Sequence, residues 1–395
     1  MDNRFHQLDV TVSVANVSIS RQAFLENSWP MESNRRDCIR RITGWTLGWN
    51  AVRFLPGTAS ANACMNDSRG FEAEFSSMGS KINLRWYSNQ TDQDHIAEAA
   101  GRIADQWVKV LSDYDPNSQS ALACAKADLG NWTPLSNELW SVVQMCDQWH
   151  RWSNGAFDAA LGAITHLRRQ RKQATASQWD EARRKSGWNL VELDASNQAI
   201  RFATPGVRLD FGAIGKGLVA DRIAEKLLEM EIEQYVVNAS GNMRIGKSPH
   251  NTEGWPIAID VPATGSNDVD VELLRMRLSQ CGVATSGDRW QRFSDGDVAG
   301  GGVVVVKSAR SSHIIDPMTK AGVLGHQSVT IIAENAADAD AAATATCVRT
   351  RSDLAGWLQT LSEKKPNLQA MVLLRDETTA SVRLISNAEA CCRGL

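Results

Sequence analysis

Apolar residues recur along this chain at two different periods. Between Ser80 and Ser88 they alternate (Ile82, Leu84, Trp86), which predicts a half-buried strand. From Asp92 to Leu111, Ile96, Ala99, Ile103, Trp107 and Val110 fall on one helical stripe. Ser136 to Ser153 repeats that pattern with Leu139, Val142, Val143, Cys146 and Trp149; Ser136 serves as N-cap, Glu138 lies in the first turn and Gly155 supplies the stop. Short β-like runs follow at Asn189–Leu193, Ala199–Phe202 and Val207–Phe211. A helix is predicted from Lys216 to Met230, with Val219, Ile223, Leu227 and Leu228 inward. Further strands are predicted at Gln234–Asn238, Ile257–Val261, Val303–Lys307, His313–Ile315 and Val329–Ala333. Ala336 to Arg349 is alanine-rich and predicted helical; a last helix (Leu354–Leu361) and strands near Met371 and Val382 close the pattern. Strands and helices do not alternate strictly. The expectation is therefore one α+β domain over residues 71–390, with mixed or antiparallel sheets and packed helices.

Residues 1–70 read differently. After Met31 come Asn34-Arg35-Arg36-Asp37-Cys38-Ile39-Arg40, a moderately apolar stretch from Ile42 to Leu55, and then Ala61-Asn62-Ala63. Charged, apolar and small-residue segments in that order have the layout of an export signal, and the paired arginines point to the twin-arginine type with Met31 as its start. A disordered basic leader without targeting value is the alternative, since Asn50 and Arg53 interrupt the apolar stretch. The first reading expects a periplasmic or otherwise exported protein, the second a cytoplasmic one. Cys64 follows Ala63 as a lipid-bearing cysteine would, but Ala61-Asn62-Ala63 is a poor match to the segment that precedes one.

Composition narrows the function. The chain has 395 residues, with 42 Lys+Arg against 45 Asp+Glu and a formal charge of −3. That balance argues against a general nucleic-acid binder. The hydrophobic fraction of 43% and charged fraction of 22% are those of a globular protein, which argues against wholesale disorder. No apolar run approaches the roughly eighteen residues of a membrane helix, so membrane association is expected only through the leader or a partner. The 8 cysteines form no CxxC pair and none lies at zinc spacing from a histidine. Cys146 and Cys347 fall in helical patterns, where a buried free thiol is expected. The 14 tryptophans suit a core or the face of a planar ligand.

Four segments have the makings of chemistry. Asp210-Phe211-Gly212-Ala213-Ile214-Gly215-Lys216-Gly217 joins a predicted strand to a predicted helix, so free N–H groups and a positive helix end are aimed at an anion, with Lys216 as a point charge. It is neither a Walker A loop, since Asp210 stands where the first glycine belongs and Gly217 where Ser or Thr belongs, nor a GxGxxG turn. Asp340 and Thr344, four apart on a predicted helix, put a carboxylate and a hydroxyl on one face, a hard-oxygen pair suited to Mg²⁺ beside phosphate; Asp338, two residues earlier, points elsewhere. Ala284-Thr285-Ser286-Gly287-Asp288 reads as a tight turn whose amides can face a ligand. His313-Ile314-Ile315-Asp316-Pro317 presents a titratable ring and then a carboxylate from a short strand. Taken singly, each segment has an ordinary structural reading as well.

In this order the segments resemble the ApbE family, the FAD:protein FMN transferases. The resemblance covers roughly residues 78 to 350. It rests on Met78-Gly79, Ser112-x-Tyr114, Gly155-Ala156-Phe157-Asp158, Asp210-x-Gly212-Ala213-x-x-Lys216-Gly217, Asn238-Ala239-Ser240-Gly241-Asn242, Ser286-Gly287-Asp288, His313-Ile314-Ile315-Asp316-Pro317 and Asp340-x-x-x-Thr344. It implies a single T-fold-like α+β domain. It also implies Mg²⁺-dependent transfer of the FMN half of FAD to a Thr hydroxyl of an acceptor flavoprotein, with release of AMP. An FAD pyrophosphatase yielding FMN and AMP, and a non-catalytic flavin carrier, are the alternatives. By the same resemblance, Asp340, Thr344 and the carbonyl of Ala213 hold the metal, and Lys216 meets phosphate or flavin. Met78, Tyr114, Ala156, Phe157, Asp158, Asp210 and Ile315 line the FAD pocket together with the turn Ser286, Gly287 and Asp288; Tyr114 and Phe157 offer planar surface. His313 deprotonates the acceptor hydroxyl, with Asp316 sharing or owning that role. The chain departs from the family pattern at Ala343, where some members carry a second metal-binding Asp, and at Lys320, where Gly is usual. It departs also at Ser240-Gly241-Asn242, which lacks a charge, and after Tyr114, where a Ser-Glu pair is missing.

Overall fold

A computed structural model describes residues 10–12, 52–54, 69–89, 93–128, 130–170, 174–261, 272–287, 292–294, 310–323, 327–350, 352–375 and 382–386. Nine strands build the main sheet: β1 (Val10–Val12), β2 (Arg69–Ser77), β3 (Ser80–Ser88), β4 (Tyr235–Ala239), β5 (Asn242–Ile245), β6 (Cys281–Gly287), β7 (Gln327–Ala333), β8 (Gln369–Arg375) and β9 (Val382–Ser386). Their order is β1-β9-β8-β7-β6-β5-β4-β3-β2, and every pairing is antiparallel. From β2 to β9 each strand therefore lies beside its neighbour in sequence, and the described helices are inserted into the turns of this meander.

The insertions carry the helices. The β3–β4 connection holds α1 (Gln93–Leu111), α2 (Gln119–Ala127), α3 (Asn137–Trp152), α4 (Gly162–Arg169), α5 (Ala176–Arg184) and α6 (Gly215–Glu229). The β7–β8 connection holds α7 (Ala336–Cys347) and α8 (Leu354–Lys364). A second ladder pairs Trp255–Val261 with both Glu272–Leu278 and Val52–Phe54. Of residues 1–70, the described parts are β1, Val52–Phe54 and the start of β2; Asn34–Arg40 and Ala61–Cys64 lie outside the described residues, as does Val303–Lys307.

Most predicted elements appear where periodicity put them. Ser80–Ser88 is a strand whose Ile82, Leu84 and Trp86 are buried. α3 starts after Ser136, whose hydroxyl accepts from Leu139 N–H. Four expectations are corrected. Leu228 of α6 is 50% exposed rather than inward, and His313–Ile314 is a bend between the short strands Arg310–Ser312 and Ile315–Asp316. Val207–Phe211 is extended and buries alternate residues, but it joins no ladder; its backbone bonds run singly to the segment before α4, Asp210 N–H to Ala159 O and Gly162 N–H to Arg208 O. The segment Ala284–Gly287 is strand rather than turn: Ser286 stands opposite Val329 and Gly287 opposite Ser328, its pairing with β5 stops at Ala284 opposite Asn242, and Asp288 lies outside the described residues. Helices α2, α4 and α5 escaped the sequence reading because runs of eight or nine residues show barely two turns of periodicity.

Packing explains the alanine-rich helix. Eleven of the twelve α7 residues are buried between α6 and strands β6 and β7. Larger side chains would hold these layers apart. Glycines admit the helix start on both sides. A Cβ at Gly217 would lie 2.2 Å from Ala336 O, and one at Gly282 would lie 2.1 Å from the Asn335 carbonyl. Eight of the tryptophans (86, 107, 140, 149, 179, 188, 255 and 357) are buried, so they serve mainly as core.

The glycine contacts predict a sign difference. Gly282→Ala loses about 2 kcal/mol or more of stability through overpacking against backbone, whereas Gly101→Ala, in α1 with open space around it, gains about 0.5–1 kcal/mol. Urea unfolding of the two variants measures both; a neutral Gly282→Ala would disprove the tight wedge.

Candidate functional site

The site begins at the start of α6. The chain leaves the extended segment at Phe211, turns through Gly212 and Ala213, and enters the helix at Gly215 with no side-chain cap on Ile214. Uncapped first-turn N–H groups make a helix start attractive to anions. Two of them are already matched: Gly215 N–H donates to Phe211 O at 2.7 Å, and Gly217 N–H donates to Asp340 Oδ2 at 3.1 Å, across from α7. Asp340 is 3% exposed, and burial holds its carboxyl above the ordinary range, an effect opposed by the Lys216 charge and the Gly217 bond. Lys216 Nζ donates to Gly212 O at 2.9 Å and so folds back over the turn. Thr344, one helical turn beyond Asp340, is half-buried.

Other expected residues gather around this turn. Met78 and Gly79 form the β2–β3 hairpin with φ of +53° and +68°, the left-handed pair a two-residue turn requires. A Cβ at Gly215 would touch the Met78 side chain at 3.4 Å, so the hairpin tip abuts the α6 start. Asp210 accepts from Gly212 N–H at 2.8 Å, which shapes the glycine turn, and from Thr165 Oγ1 of α4 at 2.6 Å. Arg169, at the end of α4, ion-pairs with Asp210 and Asp113 and lies 4.5 Å from the centroid of the exposed Tyr114 ring. Tyr114 and Asp210, far apart in sequence, thus meet through Arg169, which the sequence reading missed.

A second group lies on the other side of α4. Asp158 is buried, accepting from Ala160 N–H at 2.7 Å and Trp188 N–H at 2.9 Å; burial raises its pKa, against those two bonds, His150 and Lys320. It lines an open cleft of about 440 Å³ with His150, Gly155, Pro317, Met318 and Lys320. Ile315 packs with Leu161, Ile164 and Trp179. Asp316 receives Met318 N–H and Thr319 Oγ1, each at 2.9 Å, so its carboxylate shapes the Asp-Pro-Met-Thr turn. His313 is exposed beside this turn. Ala156 and Phe157 are 5% and 1% exposed; the Phe157 ring belongs to the core, and its backbone carbonyl bonds the His150 ring at 2.9 Å. Ser286 and Gly287 sit at the end of β6. Ala159 joins the two groups, since its carbonyl receives Asp210 N–H.

The donors suit a hard cation. Among the described residues no three His, Cys, Asp or Glu side chains cluster as a metal site. One carboxylate, a nearby hydroxyl and backbone carbonyls are instead what Mg²⁺ accepts when substrate phosphates complete its shell. Asp338 is occupied elsewhere. It accepts from Trp149 Nε1 at 2.8 Å, Lys365 Nζ at 2.8 Å and Asn335 Nδ2 at 3.0 Å.

Fold and site together define an α+β protein that gathers a helix start, a buried carboxylate and a lysine at one glycine turn. The chain belongs to the ApbE family, whose profile matches residues 78–372. Among curated relatives, the FAD:protein FMN transferase of Haemophilus influenzae is 26% identical over 302 residues, 72% of this chain and 82% of its own length. The enzyme of the same name from Treponema pallidum is 29% identical over 293 residues, 68% of this chain and 75% of that one. The crystal structure of the ApbE protein from Thermotoga maritima is 26% identical with a TM-score of 0.62, covering 78% of this chain and 98% of that one. The flavin transferase ApbE from Vibrio cholerae has a TM-score of 0.66 at 18% identity over 81% of this chain and 97% of that one, a likeness of fold.

One buried acid gives a pH prediction. Asp221 of α6 accepts from Ala336 and Ala337 N–H at 2.9 Å each, yet burial lifts its pKa from the ordinary 3.8 to about 6. The folded state therefore holds a proton that the unfolded state has lost between these values. Stability falls as pH rises through that window, by on the order of 3 kcal/mol from this group. Urea unfolding from pH 4 to 7 should show the decline in the parent and a flatter profile in Asp221→Asn; equal slopes would refute it.

Proposed function

We propose that this protein is an FAD:protein FMN transferase: it carries the FMN half of FAD onto a Thr hydroxyl of an acceptor flavoprotein and releases AMP. The observation that carries the proposal is the buried Asp340 carboxylate set against Gly217 N–H beside Lys216. A diphosphate is inert until its charge is offset, and catalysis of its cleavage is mostly positioning and charge stabilisation. Mg²⁺, when bound by Asp340, Thr344 and the Ala213 carbonyl, supplies that neutralisation. Lys216 moves from Gly212 O to a phosphate oxygen or the flavin. Met78, Tyr114, Asp158, Asp210, Ile315 and the backbone of Ala156 and Phe157 orient the dinucleotide, with Ser286 and Gly287 at the β6 end; Asp288 joins this set by the family resemblance alone. The threonine oxygen bonds to the FMN phosphorus, the bond to the AMP phosphate breaks, and the hydroxyl proton passes to His313. Asp316, engaged by its own turn, holds that segment in shape.

The curated relatives' shared name and the family match support this reading. Export to the periplasm belongs to the same proposal and rests on the Asn34–Ala63 pattern in the sequence.

Incubating the protein with FAD, Mg²⁺ and a Thr-bearing acceptor is the test. Flavin fluorescence should stay with the acceptor after denaturing electrophoresis, with AMP released in equal amount. Free FMN and AMP alone would mean hydrolysis instead, and intact FAD a carrier. Asp340→Ala should lower turnover about 10²-fold or more, as loss of a principal charge-stabilising group does; activity near the parent's would refute the site.

A further inference from the structure

The feature that neither motifs nor family account for is the guanidinium of Arg169. It closes α4 and sits at the meeting point of three segments. It ion-pairs with Asp113, in the turn after α1, and with Asp210, at the entrance to the glycine turn. It also donates to Thr165 Oγ1 at 2.9 Å, and that hydroxyl in turn donates to Asp210 at 2.6 Å. Its central carbon lies over the Tyr114 ring, 4.5 Å from the centroid, while Tyr114 as a residue is 76% exposed.

Each contact uses a different property of guanidinium. Asp113 and Asp210 are close enough that Asp210 raises the Asp113 pKa, second only to burial; Arg169 opposes this. A planar cation with forked donors can bridge two acids and still cover a ring; an ammonium cannot. The Tyr114 ring, on a turn outside any helix, is thereby backed on one face and open on the other. Asp210 is fixed at the same time, and with it the Gly212 N–H that shapes the glycine turn.

We propose that Arg169 is a positioning residue of the dinucleotide site: it backs Tyr114 and locks Asp210, so that a planar ring of FAD stacks on the open face of Tyr114 while the diphosphate enters the glycine turn. This rests on the reading of the site given above. The stacked ring is either the isoalloxazine or the adenine, and comparing FMN with AMP as ligands separates them.

The test is equilibrium binding, free of turnover. FAD, FMN and AMP are titrated against the parent, Arg169→Met and Arg169→Lys by protein fluorescence, with thermal melts alongside. Both variants should raise the FAD Kd about tenfold, the scale of one stacked cation and one charge-assisted bond, and Lys should rescue little despite keeping the charge. The same loss should appear for whichever of FMN and AMP carries the stacked ring. Full rescue by Lys would overturn the proposal, since charge alone would then suffice. An FAD Kd within twofold of the parent in both variants would overturn it too, whatever the melts show, leaving Arg169 a purely structural ion pair. A parent protein that does not bind FAD would instead sink the underlying reading of the site.

Discussion

The structure turns on how closely α7 approaches its neighbours. Its first residues are wedged between Gly217 of α6 and Gly282 of β6, at distances no side chain would allow. That wedge carries the Asp340 carboxylate into the interior and delivers it to Gly217 N–H. A buried carboxylate is costly unless hydrogen-bonded and near positive charge. Here the cost is met by one backbone donor and the Lys216 charge, and the carboxyl remains raised by burial. In the proposed reading a divalent cation would complete the compensation, and the same close packing orders the two helices.

The two helix starts at this junction are treated differently. At α7, Ala336 and Ala337 donate to Asp221, and Asp338 N–H donates to Asn335 Oδ1 at 2.7 Å. Those donors are spent on structure, and Asp221 pins α7 to α6 one turn beyond the glycine segment. At α6 the residue before the helix, Ile214, supplies no side-chain cap, and the carboxylate that reaches its first turn, Asp340 on Gly217 N–H, comes from α7. The positive end that faces the candidate site thus lacks a local cap, and the locally capped one holds it in place. Around this pair, α4 acts as a prop: Thr165 and Arg169 hold Asp210 on one side, and Ile164 packs with Ile315 on the other.

Long, strongly periodic elements were legible in the sequence, whereas the meeting of the glycine turn with Asp340 came only from the family resemblance. Strand β3 and helices α1, α3 and α6 are amphipathic enough for spacing to define them. The alanine helix was legible by propensity, but its wedge between two glycines was not, because close approach of distant segments leaves no local pattern. Val207–Phe211 shows the limit from the other side. Its alternation reports burial correctly, yet ladder membership depends on a partner, and the partner is an irregular segment. The Ser286 segment misled for a related reason: small polar residues favour turns, but here pairing with β7 decides, and Thr285 Oγ1 meets Thr330 Oγ1 at 2.8 Å across the ladder. Arg169 left no signal, since its partners lie about forty and fifty-six positions away and nothing in the spacing marks them.

Two departures from the family pattern acquire physical content in the fold. Lys320 adopts φ of +53° where Gly would be unstrained, a cost of about 1 kcal/mol for a residue with a side chain. Its ammonium donates to the carbonyls of Arg183 and Ser186 at 2.7 Å each, at the C-terminal end of α5, where the helix dipole favours a cation. The lysine therefore ties the Asp-Pro-Met-Thr turn to α5, and the charge-assisted bonds offset the strain. Ala343 is fully buried in the core cluster of α7, so a carboxylate there would meet packed apolar atoms in this chain. That leaves Asp340 as the one carboxylate of the proposed donor set, and places the greater share of cation binding on the substrate's own phosphates.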